Sequence, residues 1–242
     1  MSREELFKNV ENWTVGLDET FQFRCTQCGK CCVDREDILL NARDMYMISK
    51  HLGKQTFEVF SEYCETYIGQ SSHVPILRLR PIGKTMRCPF LKDRKCIVHE
   101  AKPSVCALYP LGRYMKFDKG SNEAISDGEA KVRYLLQPIS CGDTNETHTV
   151  REWLSGFDFS LEDRAYILWN EALTCISTGL KKAEKVVPEE RMEPIWKSVF
   201  ILLYLNYLTT EEFIPQLERN LAKAKELMKI FDVVELDEDD EG

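Results

Sequence analysis

The chain has 242 residues, of which 43% are hydrophobic and 30% charged, and its formal net charge is −8. An acidic chain of ordinary globular composition offers no overall basic surface to a polyanion, so we expect no nucleic-acid partner. The longest apolar run is seven residues, Val199 to Leu205, whereas a membrane-spanning helix needs about 20. We therefore expect no membrane partner.

The N-terminal sequence MSREELFKNVENW is charged and has no continuous apolar segment before a small-residue cleavage site. It does not have the pattern of a secretory signal, so we expect a cytoplasmic protein. Structural disulfides are rare in that reducing compartment. The ten cysteines are therefore expected to bind a metal or take part in catalysis rather than to crosslink the fold.

The first predicted elements are a polar lead-in over residues 1–20 and a tight loop over 21–32. Gly29 can give that loop a residue with a positive φ. Asn41 is a predicted N-cap, and Gly53 is a predicted end of the helix that follows. A second helix is predicted from about Thr56, with an apolar face formed by Phe57, Phe60, Cys64 and Tyr67.

Three segments alternate between apolar and polar residues as strands do: 74–82, 111–117 and 131–137. The link between the last two contains Asp-Lys-Gly and Asp-Gly, which are turn-forming sequences. We predict a β-hairpin from these two segments and expect 74–82 to pair with it.

Four helical stretches follow Cys141, at about 148–155, 161–178, 189–208 and 211–231. Ser160 is a predicted N-cap and Gly179 a predicted end of the second of them. The predicted fold class is α+β: a small irregular cysteine-rich metal-binding domain with a short antiparallel hairpin, then a mainly helical C-terminal region. The predicted division is 1–20 lead-in, 21–145 cysteine-cluster domain, 146–232 helical region and 233–242 acidic disordered tail.

The spacing Cys25-x2-Cys28-x2-Cys31 places three thiols on one short loop, where they can surround one metal centre. Thiolates select zinc, copper(I) or iron–sulfur clusters over hard cations. The same triple spacing opens the ligand run of bacterial ferredoxins, in which a Cys-Pro follows. Here a Cys-Pro occurs far downstream, at Cys88-Pro89, and it can supply a fourth ligand.

Cys31 and Cys32 are adjacent, and adjacent side chains of an extended chain point in opposite directions. We therefore expect either that one of them is not a direct ligand or that they face two different centres. Cys64 and Cys175 lie on apolar helical patterns and are expected to be small buried hydrophobes. The eight predicted metal ligands are Cys25, Cys28, Cys31, Cys32, Cys88, Cys96, Cys106 and Cys141.

The ordered set of motifs resembles the YkgJ-type cysteine-cluster family, a zinc- or iron-chelating domain marked by CxxCxxCC. The matching elements are Cys25-x2-Cys28-x2-Cys31-Cys32, Cys88-Pro89-Phe90-Leu91, Cys96-Ile97, Pro103-x2-Cys106-x2-Tyr109-Pro110 and Cys141-Gly142. The resemblance implies metal binding over about residues 21–155. One branch of the family resembles flagellin lysine N-methylases, which pair the cysteine cluster with S-adenosylmethionine. The chain contains no G-x-G, P-loop or G-x-S-x-G motif and no C-x3-C-x2-C signature, and no catalytic residue is assigned.

The leading prediction is a cytosolic iron–sulfur protein, most consistent with [4Fe–4S], acting as an oxidoreductase or as a lysine N-methylase-like enzyme. Such an enzyme needs a solvent-reachable cleft beside its cluster. The alternative is a zinc protein with a closed structural site, whose helical region docks a protein partner or substrate, or a metal carrier with exchangeable binding. A basic stretch surrounds Cys88 and Cys96, and we expect it to compensate thiolate charge, to bind an acidic partner or to be a solvated loop: Arg78, Arg80, Arg87, Lys92, Arg94 and Lys95.

Overall fold

Short strands occupy most of the N-terminal half of the chain, and long helices occupy the C-terminal part. The computed structural model describes residues 10, 12–115 and 131–234, without the side chains of 232–234. Its strands are β1 (Thr14–Val15), β2 (Thr20–Arg24), β3 (Leu39–Leu40), β4 (Cys64–Ile68), β5 (Pro75–Leu79), β6 (Leu91–Lys92), β7 (Lys95–Cys96), β8 (Leu111–Met115), β9 (Val132–Leu136) and β10 (Asp143–Thr149). Its helices are α1 (Ala42–Leu52), α2 (Thr56–Tyr63), α3 (Ser104–Leu108), α4 (Val150–Ser155), α5 (Arg164–Val186), α6 (Glu189–Phe200) and α7 (Phe213–Val234). The predicted α+β fold class is confirmed.

Two units divide the chain, and each is assembled from two separate segments. The first contains the described residues up to Ile38 together with Pro81–Ile167, and the second contains Leu39–Arg80 together with the residues from Leu168 onward. Residues 39–80, which separate the two main groups of cysteines in the sequence, thus belong to the second unit. The domain boundaries given above stay a prediction. None of the described helices is long and apolar enough to cross a membrane.

In the first unit, aromatic packing fixes strand β2. Phe21 and Phe23 are buried on one face of β2 while its alternate residues are exposed. Their ring centroids lie 5.7 and 5.6 Å from that of Trp153 in α4, whose indole N–H donates a 3.0 Å hydrogen bond to the carbonyl of Leu108. Strand β10 pairs with β2 in an antiparallel two-stranded sheet. The end of β2 is therefore rigid, and Cys25 follows it directly.

The hairpin β8–β9 confirms the prediction for residues 111–117 and 131–137, with Leu111 opposite Leu136. Its link falls outside the described residues. The expectation that 74–82 pairs with this hairpin is wrong, because β5 pairs with β3 and β4 in the second unit, and β1 is the other neighbour of β9. Alternation of apolar residues identifies a strand but carries no information about its partner. β1 also lies within the predicted lead-in, of which residues 1–9 and 11 are outside the described part of the chain.

Capping residues set two helix starts. Asn41 and Asp44 form a reciprocal capping box at α1, and Gly53 ends that helix at φ 63°, as predicted. At α5, the Asp163 carboxylate accepts a 3.1 Å hydrogen bond from the backbone N–H of Tyr166. The helix therefore begins at Arg164, three residues later than predicted from Ser160.

The helix predicted from Thr56 is shorter than the apolar pattern Phe57 to Tyr67 on which the prediction rested. It ends at Tyr63, and Cys64 begins strand β4 opposite Leu79 of β5. The predicted apolar helical face is wrong, since Phe57 is exposed and Cys64 is buried in the sheet. Pairing with β5 determines the structure of this segment, as tertiary contacts often override local pattern.

The C-terminal helices also depart from their predicted ends. α5 does not end at Gly179 but continues to Val186. The glycine is a packing residue instead of a helix end, because its missing Cβ leaves room for Met228 of α7. A π-helical turn, Ile201–Leu205, interrupts the stretch predicted over 189–208. After it, the Asn220 side chain donates a 2.7 Å hydrogen bond to the carbonyl of Asn206. α7 ends at 234, so the predicted tail begins within this helix, and residues 235–242 are outside the described residues.

Candidate metal centre

The loop after β2 carries four of the predicted ligands. Gly29 adopts φ 73° as expected, and a 3-10 turn, Lys30–Cys32, follows it. The backbone N–H of Cys32 donates a 3.1 Å hydrogen bond to the carbonyl of Gly29, which closes the turn. Cys25 and Cys28 are exposed, whereas Cys31 and Cys32 are partly buried.

The second cysteine segment lies directly against this loop. The backbone N–H of Cys88 donates a 2.8 Å hydrogen bond to the carbonyl of Cys32. Beyond it, the short hairpin β6–β7 places Cys96 opposite Leu91. The fully buried Phe90 accepts a backbone hydrogen bond from Ile97, which anchors the hairpin to the unit. The third thiol of the segment, Cys106, lies in helix α3, and the thiols of Cys88, Cys96 and Cys106 are all partly buried.

The backbone at Gly142 explains why Cys141 lies close to the thiols of the loop after β2. It adopts φ 75°, and a Cβ at this position would collide with the carbonyl oxygen of Arg24 and the ring of Phe23. The chain therefore passes close to the end of β2, and a backbone hydrogen bond joins Gly142 to the Cys28 sulfur. This close approach places Cys141 beside the loop of the first four thiols.

The thiols of the first unit form a connected group. The Sγ atoms of Cys31 and Cys32 are 3.9 Å apart. Cys31 also shares a hydrogen bond with Cys141, and Cys32 shares one with Cys88. Electrostatic interactions extend the group to the other four sulfurs, since Cys88 interacts with Cys96 and Cys106, Cys96 interacts with Cys25, and Cys31 interacts with Cys28. All eight predicted ligands lie in the first unit, whereas Cys64 and Cys175 lie in the second.

The expectation that Cys31 and Cys32 point in opposite directions is wrong. It assumed an extended chain, but both residues lie in the 3-10 turn, where their sulfurs are in contact. Two thiolates bound to one zinc at about 2.3 Å are about 3.8 Å apart in a tetrahedral site. The observed 3.9 Å separation therefore fits ligation of one metal by both residues.

These contacts also set the pKa values of the central thiols. The hydrogen bond with Cys32, followed by burial, raises the pKa of Cys31. Cys31 lowers the pKa of Cys32, but the hydrogen bond to Cys88 and burial outweigh this effect and raise it to about 12. Burial and then the charge of Cys31 raise the pKa of Cys141 to about 11. Crowded thiols therefore keep their protons in the absence of a cation, and a bound metal would displace them.

Other thiols have stabilised anionic forms. Backbone hydrogen bonds from Gly142 and then Lys30 lower the pKa of Cys28. The hydrogen bond with Cys32 lowers the pKa of Cys88. Among the described residues, however, no group of three or more Cys, His, Asp or Glu has the arrangement of a formed metal site. The donor type fits zinc or an iron–sulfur cluster, and the ligand set stays a prediction.

Two residues near the thiols were not identified from the sequence. The Tyr109 hydroxyl accepts a 2.7 Å hydrogen bond from the backbone N–H of Ser140 and also hydrogen-bonds the Cys141 side chain. Arg35 interacts electrostatically with Cys106 and Cys31 and forms a 2.5 Å ion pair with Asp37. Tyr109 had a signal, because it belongs to the Cys106-x2-Tyr109-Pro110 motif. Arg35 had none beyond its position three residues after Cys32.

The predicted basic stretch divides between the two units. Arg78 forms a 2.7 Å ion pair with Glu65, and Arg80 donates hydrogen bonds to backbone carbonyls at the end of α2, so both brace the second unit. Arg94 and Lys95 instead lie at the β6–β7 hairpin of the first unit.

A cavity of about 770 Å³ opens to solvent beside the exposed thiols. Residues of the cysteine loop and of the β6–β7 hairpin line it: Arg24, Cys25, Thr26, Gln27, Cys28, Asp93, Arg94 and Lys95. The group of thiols is therefore reachable from solvent on the side of Cys25 and Cys28.

Eight thiols gathered in one α+β unit are the kind of donor set that a thiolate metal site requires. Residues 24–128 match the family model CxxCxxCC, described as "Putative zinc- or iron-chelating domain". This segment is therefore similar to that family, and the predicted resemblance to a CxxCxxCC zinc- or iron-chelating domain is confirmed. The matched segment includes seven of the eight predicted ligands, and Cys141 lies beyond its end. Comparisons with curated proteins and with solved structures find no significant match.

Proposed function

We propose that the first unit binds an iron–sulfur cluster, of the [4Fe–4S] type, and that the protein is a redox or cofactor-linked enzyme. The observation that carries this proposal is the cavity beside Cys25 and Cys28. Structural zinc sites are closed, whereas a centre that transfers electrons or meets a substrate must be reachable. The cavity has the size typical of small-molecule sites, about 300–1,000 Å³.

The loop thiols of Cys25, Cys28 and Cys31 would hold the cluster, with a fourth thiol from the segment that begins at Cys88. A bound cluster supplies one-electron transfer at a potential set by charge and by hydrogen bonds to its sulfurs. The chain already provides such groups, because Gly142 and Lys30 hydrogen-bond the Cys28 sulfur. A cytoplasmic location belongs to this proposal, since a reducing compartment keeps the thiols available.

The test is anaerobic purification followed by iron, sulfide and zinc analysis and a visible spectrum of the same sample. We expect equal amounts of iron and sulfide, about four of each per chain, and a visible band that dithionite bleaches. Cys28→Ser should abolish the band. Cys175→Ser, which removes a thiol of the second unit, should leave it unchanged. A colourless protein that contains zinc contradicts the proposal. S-adenosylmethionine binding to the iron-loaded protein then separates a methylase-like enzyme from a simple electron carrier.

The second candidate is a zinc site, and the 3.9 Å separation of the Cys31 and Cys32 sulfurs favours it. In a structural site the zinc would stabilise the cysteine loops, and the helical region would bind a protein partner. In a carrier the thiols would instead pass the zinc to an acceptor. One or two zinc ions per chain without iron would support it. Loss of zinc within minutes to a chromogenic chelator would distinguish a carrier from a structural site.

A further inference from the structure

The cavity beside Cys25 and Cys28 is lined by more positive than negative charge. Arg24, Arg94 and Lys95 contribute to its wall, and Asp93 is the acidic residue among those that line it. We propose that this cavity binds a small oxyanion, a carboxylate or a phosphate, next to the two exposed thiols. The inference deepens the proposed function, because it names the class of ligand at the open side of the metal centre.

The basic side chains on the two walls of the cavity differ in their ion pairing. On the loop side, the Arg24 guanidinium donates to both carboxylate oxygens of Asp143, with contacts of 3.1 and 2.6 Å. This pair fixes the Arg24 side chain and uses part of its hydrogen-bonding capacity. On the hairpin side, Arg94 and Lys95 are exposed and form no ion pair within the described part of the chain. They are therefore available to an anion that enters from solvent.

The position of Arg94 is unusual for its residue type. Asp93 and Arg94 form the two-residue turn between β6 and β7, with φ of 48° and 64°. Two-residue turns with positive φ at both positions favour Asn-Gly, since glycine adopts this region without steric cost. An arginine is therefore unfavourable for the turn itself, and Arg94 instead contributes to the cavity wall. Guanidinium groups bind carboxylate and phosphate through two parallel hydrogen bonds.

A simpler explanation is that these cations only neutralise the thiolates. Other cations already occupy that role. Lys30 acts on the Cys28 sulfur, Lys102 acts on Cys96, and Arg35 interacts with Cys31 and Cys106. The charges of the β6–β7 turn are thus additional to those that act on the sulfurs, as a ligand site requires.

The test is isothermal titration of the purified protein with pyrophosphate, inorganic phosphate and succinate at constant ionic strength. We expect saturable binding of at least one of them. Arg94→Gly should weaken it about tenfold or more, the effect of losing one charge-assisted contact. Glycine suits the turn, so this variant is expected to fold at least as well as the parent. Lys92→Gln removes an exposed charge of the same hairpin outside the cavity and should change affinity less than about twofold.

A second measurement locates the site. In chelator-treated protein, the bound anion should slow iodoacetate alkylation of Cys25 and Cys28, mapped by peptide mass spectrometry, and leave that of Cys175 unchanged. Tighter binding of pyrophosphate than of succinate identifies a phosphate ligand, and the reverse order identifies a carboxylate. Absence of saturable binding, equal affinity in Arg94→Gly, or no protection of the two thiols overturns the proposal.

Metal content is measured on every sample, so that the two proposals fail separately. A protein that binds the anion but lacks metal supports the anion site and contradicts the iron–sulfur function. A protein that holds iron and sulfide but binds none of the three anions does the opposite.

Discussion

The Sγ atoms of Cys31 and Cys32 are 3.9 Å apart although the two residues are neighbours in the chain. The 3-10 turn Lys30–Cys32 makes this contact, because it replaces the extended backbone that would separate the side chains. Each sulfur then meets a different segment, Cys141 for the first and Cys88 for the second. The adjacent pair therefore joins the two parts of the thiol group.

For the zinc candidate, this contact predicts that Cys31 and Cys32 bind one metal ion, whereas in the iron–sulfur proposal Cys31 is the only ligand of the pair. Cys31→Ser and Cys32→Ser should each remove the same metal, because either substitution deletes a ligand of the shared site, and the double variant should lose no more than a single one. Elemental analysis of metal per chain checks this, with Cys175→Ser as the control that keeps full content. Losses of about half in each single variant that add in the double variant would show two separate centres instead.

Gly142 provides a second prediction, because its backbone is both left-handed and closely packed. Gly142→Ala should lower the free energy of unfolding by about 3 kcal/mol, since it adds the cost of a positive φ to a collision with the Arg24 carbonyl and the Phe23 ring. It should also lower metal content by displacing Cys141. Urea unfolding monitored by tryptophan fluorescence gives the free energy of unfolding, and elemental analysis gives the metal content.

Gly83→Ala is the matched control for Gly142→Ala. Gly83 belongs to the same unit and has φ 69°, but a Cβ there would meet no atom within 4 Å. This variant should lose only about 1 kcal/mol and keep its metal. Equal losses in the two variants would mean that φ alone is responsible and that the close approach of Gly142 to β2 does not position Cys141.

The features that were predictable from the sequence are local ones. The turn at Gly29, the helix ends at Asn41 and Gly53, and the hairpin β8–β9 depend on residues within a few positions of each other. The cysteine spacing likewise indicated the metal-chelating domain, because three thiols spaced two residues apart on one loop can surround one metal centre.

The features that could not be predicted depend on distant partners. Strand β5 pairs within the second unit, and Cys64 lies in a strand rather than on a helix, because β4 and β5 meet there. The residues that line the cavity could not be predicted either, since it joins the cysteine loop to a hairpin about 65 residues away. Periodicity and spacing describe one segment at a time, and these features arise between segments.

Gly179 gives a prediction that opposes intrinsic helix propensity. In an exposed helix, Gly→Ala stabilises by about 1 kcal/mol. Here a Cβ would lie 2.5 Å from the Cβ of Met228, so Gly179→Ala should instead destabilise the second unit by about 2 kcal/mol. Thermal and urea unfolding measure the change. Adding Met228→Gly, which removes the colliding Cβ together with the rest of the side chain, should restore part of the loss through a negative coupling in the double-mutant cycle. If the two changes in unfolding free energy simply add, α5 and α7 move apart to accommodate the Cβ and the predicted collision is absent.

Burial raises the pKa of the Cys64 thiol to about 12, with Arg80 opposing the shift. An unfolded cysteine titrates near pH 8.5. Above that pH the unfolded chain releases the proton while the folded protein retains it, so folding is progressively disfavoured. The stabilisation from the neutral thiol is complete below about pH 8.5 and is lost as the pH rises towards 12, by up to about 1.4 kcal/mol for each pH unit.

Cys64→Ala removes this pH dependence. At about pH 8 the variant should be less stable than the parent by about 1 kcal/mol, because a buried sulfur is replaced by a small cavity. At about pH 10 the difference should vanish or reverse, since the parent alone has a buried thiol to keep protonated at this position. Urea unfolding at both pH values measures the difference, and the other titrating groups cancel because both proteins carry them. A difference that stays constant with pH would mean that the Cys64 thiol ionises as easily in the folded protein as in the unfolded chain.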